Sequence, residues 1–402
     1  MTLKVLSVAG ALLLAQYTPA VSAEIDVKIG VLADMSGLYS DIGGQGAVVA
    51  AKLAVEDFNP AANGMKVEIL SADAQNKPDI AVSIARKWFD TDGVDMVVDL
   101  PTSAISLALA PVAAEKNKVA LFTASGSSDL TGKSCTPNGV HWTYDTWALS
   151  HGTASAVTKN GGKTWFFITA DYAFGQAMER DASAVVVENG GKVLGAVRHP
   201  LDSKDLSSFI LQAQSSKAQV VGLANAGGDL VNSIKQAAEF GVVQGGQKLA
   251  GMLLFISDVH SLGLKNAQGL MLTTAFYWDL NAKTRAFAER FAKRNGGRYP
   301  TMTQAGTYSS TIAYLEAVKR VGSPDDGRAV VKAMRDAGTF DDPLFGKTFV
   351  RADGRAVHDM LLVEVKKPEE SKGPYDYYKI AAVIPAEQAF RPLADGNCPL
   401  VK

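Results

Sequence analysis

From residue 25 onward, the hydrophobic positions alternate between two periods. Val27 to Ala33 is a β-branched apolar run closed by Asp34-Met35-Ser36-Gly37, a strand ending in a turn. Gly46 to Phe58 carries apolar residues at Val48, Ala51, Val55 and Phe58, the spacing of one helical face. Met65 to Leu70 reads as the next strand and Ile80 to Phe89 as the next helix. Met96 to Leu100, Ala104 to Ala114 and Val119 to Phe122 repeat strand, helix, strand. The pattern predicts βαβ units, and so a mostly parallel sheet with helices on both faces.

The rhythm restarts after a loop-rich stretch from Thr123 to Ser150. Strands are expected at Thr164 to Ile168, Lys192 to Val197, Val220 to Leu223 and Leu249 to Phe255. Helices are expected between them at Gln176 to Val187, Leu206 to Ser215 and Leu230 to Phe240. Thr284 to Asn295 and Thr303 to Val321 are helical stretches that break the repeat and return toward the first unit. Phe345 to Val350 and Met360 to Val365 flank Ala352-Asp353-Gly354-Arg355, which predicts a hairpin with Asp-Gly at its turn. Two α/β lobes with more than one crossover follow, and open α/β sheets place ligands at the C-terminal ends of their strands.

Composition narrows the function. The chain has 402 residues, 47% hydrophobic and 20% charged, a globular balance. Its 40 basic and 41 acidic residues leave a net charge of −1, without the basic footprint that nucleic-acid binding needs. The first 23 residues read as a secretory signal: Lys4, an apolar run from Val5 to Ala15, and Val21-Ser22-Ala23 before the cleavage point. An exported protein that functions in the periplasm is expected. Cys135 and Cys398 are the only cysteines, and export favours a disulfide between them.

Catalytic and metal-binding patterns are missing from the sequence. The five His, at 141, 151, 199, 260 and 358, have no metal-ligand spacing, and neither HExxH nor GxSxG occurs. Gly43-Gly44-Gln45-Gly46 has Val49 where a dinucleotide loop keeps its third glycine, so a flexible turn is the better reading. Asp90, Asp92 and Asp95 lack calcium-loop spacing. No cofactor is expected. What remains are hydroxyl- and Gly-rich loops directly after strands, Pro101-Thr102-Ser103 and Thr123-Ala124-Ser125-Gly126-Ser127. Their backbone N–H groups and the following helix dipole suit a carboxylate. Equally, Thr102 and Ser125 serve as caps of helices and turns.

Ile29-Gly30-Val31-Leu32, Ser36-Gly37 and the segment from Gly43 resemble the first strand and helix of type I periplasmic binding proteins. Asp73 to Asp79, the two hydroxyl loops and Asp171-Tyr172-Ala173-Phe174-Gly175 fall in that family's order, over essentially Ile25 to Val365. The match is nearest to the branched-chain amino-acid branch of ABC-transporter solute-binding proteins. The resemblance implies two doubly wound lobes joined by a three-crossover hinge, closing on a small molecule that is handed to an inner-membrane permease. Lobe one is expected at 24–143 plus 276–344, lobe two at 144–275 plus 345–384, and a tail at 385–402.

On that resemblance the ligand-binding candidates are Thr102, Ser103, Ser125, Gly126 and Ser127 from lobe one. Lobe two adds Tyr172, Phe174, Asn225 and Asp258, with Asp258 nearest to the position that holds an ammonium, and Tyr277 comes from the hinge side. Three of the five Trp lie in His141 to Trp147 and Phe276-Tyr277-Trp278, segments also similar to the branch that carries aromatic carboxylates. Flat side chains suit a flat ligand, although packing of the hinge core accounts for each of them as well. The expected ligand is a hydrophobic or aromatic carboxylate captured by a monomer without catalysis. A branched-chain or aromatic amino acid, or a ligand sensor on the same fold, is the alternative.

Overall fold

The computed structural model describes Glu24–Val401, so the expected signal segment lies outside the described residues. Its first sheet is parallel, in the order β2-β1-β3-β4-β5. The strands are β1 (Ile25–Ala33), β2 (Met65–Asp73), β3 (Met96–Asp99), β4 (Val119–Phe122) and β5 (Gly139–His141). Helices α1 (Gly44–Phe58), α2 (Pro78–Lys87) and α3 (Ser103–Glu115) make the crossovers. The near-continuous apolar runs follow from burial on both faces. Val97 packs with α2 and α3, while Val98 faces the cluster that holds α1.

The second sheet is also parallel, in the order β7-β6-β8-β9. Its strands are β6 (Thr164–Ala170), β7 (Lys192–His199), β8 (Val220–Ala224) and β9 (Lys248–Gly251). Short helices α4 (Thr146–Leu149) and α5 (Ser155–Lys159) lead into it. They are followed by α6 (Ala173–Glu188), α7 (Ser207–Ser215), α8 (Gly227–Glu239), α9 (Ile256–Leu262) and α10 (Leu264–Ala267). After β10 (Met271–Thr274) the chain returns to the first lobe through α11 (Ala282–Arg294) and α12 (Met302–Val321), which lie against α1. Helix α13 (Gly327–Asp336) and strands β11 (Phe340–Asp342), β12 (Gly346–Val350) and β13 (Ala356–Val357) stay there. Strands β14 (Met360–Val365) and β15 (Tyr378–Ile384) then pair with β10 in the order β10-β14-β15. The lobes are thus joined between β5 and α4, between β10 and α11, and between β13 and β14.

Two expectations change. Asp353-Gly354 does turn a hairpin, but its second strand is the short Ala356–Val357 and not Met360 to Val365. Gly354, at φ 82, lets the turn press on the first sheet: its N–H meets the Arg351 carbonyl and its own carbonyl accepts from His141 N–H at 2.9 Å. A side chain there would stand 2.5 Å from the Gly139 carbonyl oxygen. This pairing puts 345–357 beside the first sheet, where the sequence boundary assigned it to lobe two. Leu249 to Phe255 is likewise not one strand. β9 ends at Gly251, because Phe255 begins the cap of α9 and donates its N–H to Asp258 Oδ2 at 2.9 Å.

Cys135 and Cys398 are bonded, with their Cα atoms 5.7 Å apart. The tail, including α14 (Ala386–Ala389), therefore starts from β15 in the second lobe and ends on the first.

Candidate functional site

The C-terminal ends of both sheets face each other across a narrow cleft of about 20 Å³. That is room for about one water molecule, so any larger molecule needs the lobes to part around it. Lobe one supplies Tyr39 and Ile42 after β1, Pro101 and Ser103 after β3, Ala124 and Gly126 after β4, and Tyr144 from the first crossover. Lobe two supplies Tyr172 and Phe174 after β6, Ala226 after β8, and Leu253 and Phe255 after β9. None of these lining side chains is charged.

Backbone geometry ties the two hydroxyl loops into one surface. Asp99 (φ 81) and Leu100 (φ 59) occupy the left-handed region in succession, a strain that functional sites tolerate where surrounding bonds enforce it. Here the Asp99 carbonyl accepts from Thr123 N–H and Ala124 N–H, and the Leu100 carbonyl accepts from the Ser125 hydroxyl at 2.7 Å. Ser125 also bonds Ser106, Thr102 caps α3 by accepting from Ile105 N–H at 3.2 Å, and Ser127 accepts from Asp129 N–H. Ser125 is spent on structure, while Thr102 and Ser127 each accept one backbone N–H and lie outside the cleft lining.

Ser103 is different. Its oxygen accepts from Gly126 N–H at 3.2 Å and Ser127 N–H at 3.0 Å, which occupies both lone pairs. Its hydroxyl proton has no acceptor among the described residues, and the side chain lines the cleft. Helices α3, α6 and α8, 13 to 16 residues long, all begin at this cleft. Their N-terminal N–H groups bring partial positive charge to a site without a cationic side chain. The arrangement can hold a monoanion with an apolar body.

The lobes are shut on each other. The Tyr39 and Tyr172 hydroxyls meet across the cleft at 2.7 Å, and burial holds both pKa values far above the ordinary phenol range, so both remain protonated. At Gly126 and Gly227 (φ 57) the lobes approach each other closely. A Cβ at Gly126 would stand 2.9 Å from the Phe174 ring, and one at Gly227 would stand 2.9 Å from Tyr39.

Of the predicted residues, the structure brings Ser103, Gly126, Tyr172 and Phe174 into the lining, with Thr102, Ser125 and Ser127 in the loops behind. Asn225 lies beside the lining residue Ala226, but its amide donates to Ser233 and pairs with His199. Asp258 is spent on the α9 cap and, pushed up to about 7 by burial, is not a lining residue. Tyr277 donates to Asp376 at 3.2 Å and packs on Tyr378 at 5.2 Å, outside the lining. Trp142, Trp147 and Phe276 also serve packing: Trp142 donates to Ser309, Trp147 stacks on His151, and Phe276 meets Phe287 edge-on.

Sequence reasoning missed Tyr39, Ile42, Leu253, Phe255 and the buried Asp229. The only signal for Tyr39 and Ile42 was their position in the loop after β1. Asp229, in the first turn of α8, accepts from Asp202 N–H through Oδ2, while its buried Oδ1 has no partner. Burial pushes it up to about 6, and its charge helps to raise the Tyr39 and Tyr172 hydroxyls.

Behind the cleft, Asp99 is buried with neither carboxyl oxygen hydrogen-bonded, and burial, then the Asp34 charge, pushes it up to about 8. The folded state holds this proton from about pH 4 to 8 while the unfolded chain releases it, so stability falls as pH rises through that window. Asp99→Asn is expected to flatten that slope and to be more stable than the natural protein at pH 8. Urea midpoints measured at pH 5 and pH 8 check this, and an unchanged pH slope would refute it.

Residues 26–374 match the family described as "Periplasmic binding protein". The chain is similar to a solved periplasmic binding protein of Burkholderia mallei, 52% identical over 94% of this chain and 99% of that one, with a TM-score of 0.90. A branched-chain amino-acid ABC-transporter periplasmic ligand-binding protein of Burkholderia xenovorans is 40% identical over 94% and 100%, with a TM-score of 0.82. At 21% identity, the likeness to a Rhodopseudomonas palustris solute-binding protein in complex with benzoate is one of fold, over 90% and 97% with a TM-score of 0.79.

Proposed function

The chain belongs to the periplasmic binding protein family, and from that premise we propose that it captures a small aromatic or other hydrophobic monocarboxylate between its lobes. The observation that carries this reading is the free Ser103 hydroxyl, set among helix N-termini in a lining without a charged side chain. The carboxylate accepts hydrogen bonds from the Ser103 hydroxyl and from first-turn N–H groups of α3. Tyr144, Tyr172, Phe174, Leu253 and Phe255 enclose the apolar body. The signal-like N-terminus and the family support capture in the periplasm and delivery to an ABC permease, with no catalytic step. Among the described residues no helix is long and apolar enough to cross a membrane.

Benzoate-type and phenylpyruvate-type acids are expected to raise the thermal midpoint of mature protein that has been unfolded and refolded to remove carried-over ligand. At about 1,000 times its dissociation constant, a ligand adds roughly 4 kcal/mol of stability. Leucine, isoleucine, valine and phenylalanine are expected to leave the midpoint unchanged, because the lining offers their ammonium no carboxylate. A second reading, an amino acid, is favoured by the unpartnered Oδ1 of Asp229 behind the Tyr39–Tyr172 pair. Stabilisation by amino acids alone would select that reading, and Asp229→Asn would then abolish it.

A further inference from the structure

A set of contacts between the lobes lies beside the cleft and includes none of its lining residues. Helix α6 starts at the cleft with Phe174, and two turns later it carries Arg180 and Asp181. Asp181 Oδ2 accepts the hydroxyls of Ser128 at 2.7 Å and Thr146 at 2.5 Å, and Oδ1 accepts from Arg180 Nε at 2.8 Å. Arg180 Nη2 donates to the same Ser128 oxygen at 2.8 Å. Ser128 sits on the lobe-one loop after β4, so a single hydroxyl is clamped by two charged groups of lobe two. Asp181 is only 10% exposed, which shields these charge-assisted bonds from water.

The tail holds that loop from behind. Arg391 Nη2 donates to the Ser128 carbonyl at 2.9 Å, and Cys398 is bonded to Cys135 seven residues beyond Ser128. Between them Gly132 packs so closely that a Cβ there would stand 2.8 Å from the Gly396 carbonyl oxygen. Phe390 anchors the middle of the tail beneath the Arg355 guanidinium, 4.2 Å from its ring centroid. Because β15 belongs to the second lobe, the tail is a fourth covalent connection between the lobes, and it ends on the loop that carries Ser128.

We propose that Asp181 and the disulfide-held tail form a closure latch that sets how long the ligand is retained. Opening separates Ser128 from Asp181 and Arg180, so the contact stabilises only the closed state and slows release without touching the ligand. Asp181 is a positioning residue in this scheme. The inference rests on the proposed reading that capture occurs by closure.

The test compares Asp181→Ala, Asp181→Asn and the double variant Cys135→Ser/Cys398→Ser with the natural protein, after thermal melts confirm that each is folded. Release of the acid found by the thermal panel is expected to quicken about tenfold in Asp181→Ala, with association unchanged, and less in the other two. The radius of gyration of ligand-free protein, from small-angle X-ray scattering, is expected to increase. Adding Arg391→Ala to Asp181→Ala should speed release little further, because the two act through Ser128. Unchanged release and unchanged radius in Asp181→Ala and the double cysteine variant would overturn the latch. If no acid or amino acid binds, the capture reading fails, and the scattering comparison alone decides the latch.

Discussion

Gly126→Val is expected to weaken ligand binding at least a hundredfold while leaving the fold intact. The argument is spatial. Gly126 lies at a close approach of the two lobes, where even a Cβ would stand 2.9 Å from the Phe174 ring and 3.0 Å from that of Tyr144. Gly126 also donates its N–H to Ser103, so displacing this loop disturbs the hydroxyl expected to meet the carboxylate. Each ring is buried against neighbours and cannot retreat far. The open form relieves the Phe174 contact, which comes from the other lobe, but keeps the Tyr144 one, so stability should also fall, though less than affinity. Titration calorimetry with the acid found by the thermal panel measures the loss. Full affinity in Gly126→Val would mean that the ligand binds without closure of this contact. Gly126→Ala, needing smaller shifts of the same rings, should fall between the two.

The second large effect is expected at Arg355, which is wholly buried at the hinge. Its Nη1 donates to the Tyr144 carbonyl at 3.1 Å and approaches Asp145 Oδ2 at 3.5 Å, and its Nε donates to the Ala356 carbonyl at 2.8 Å. Burial drags its pKa down to about 10, while burial of Asp145 pushes that carboxyl up, so both charges are costly and each depends on the other. Arg355→Met leaves Asp145 uncompensated and two carbonyls without a donor, and breaking a buried pair in this way costs about 3–5 kcal/mol. Urea unfolding of the ligand-free protein measures it. Arg355→Lys should not restore the loss, since an ammonium cannot span Tyr144, Asp145 and Ala356 as the planar fork does. A loss below about 1 kcal/mol would show that the hinge relaxes around the gap. Because the same guanidinium holds the Tyr144 backbone, affinity should weaken together with stability.

The alternation of periods placed the main strands and helices of both βαβ series, because local pattern carries that information, but not β5, β10, α9 or α13. Val119 to Phe122 is buried on both faces, and its run of apolar residues says so without reference to anything distant. Where the pattern misled, a long-range contact decided. Met360 to Val365 looked like the partner of Phe345 to Val350, but no local feature reveals that β10, some ninety residues earlier, offers it a better edge. Asp258 and Tyr277 had suitable chemistry and lie in suitable segments. The α9 cap and Asp376 nevertheless claim them, and such bonds are invisible until the backbone is placed.

By itself the sequence determined the α/β lobes, the family, and the loops after β3, β4 and β6 as the cleft's material, since hydrophobic period and motif order are properties of the chain. It also indicated the pairing of Cys135 with Cys398, the only two available. Tertiary structure alone decided which hydroxyl is free. Thr102, Ser103, Ser125 and Ser127 all carry a hydroxyl, and only Ser103 brings an unspent proton into the cleft lining. It alone set Tyr39 against Tyr172 and hung the tail on the Ser128 loop. A hydrogen bond depends on distance and direction between groups that folding brings together, and sequence separation does not encode either.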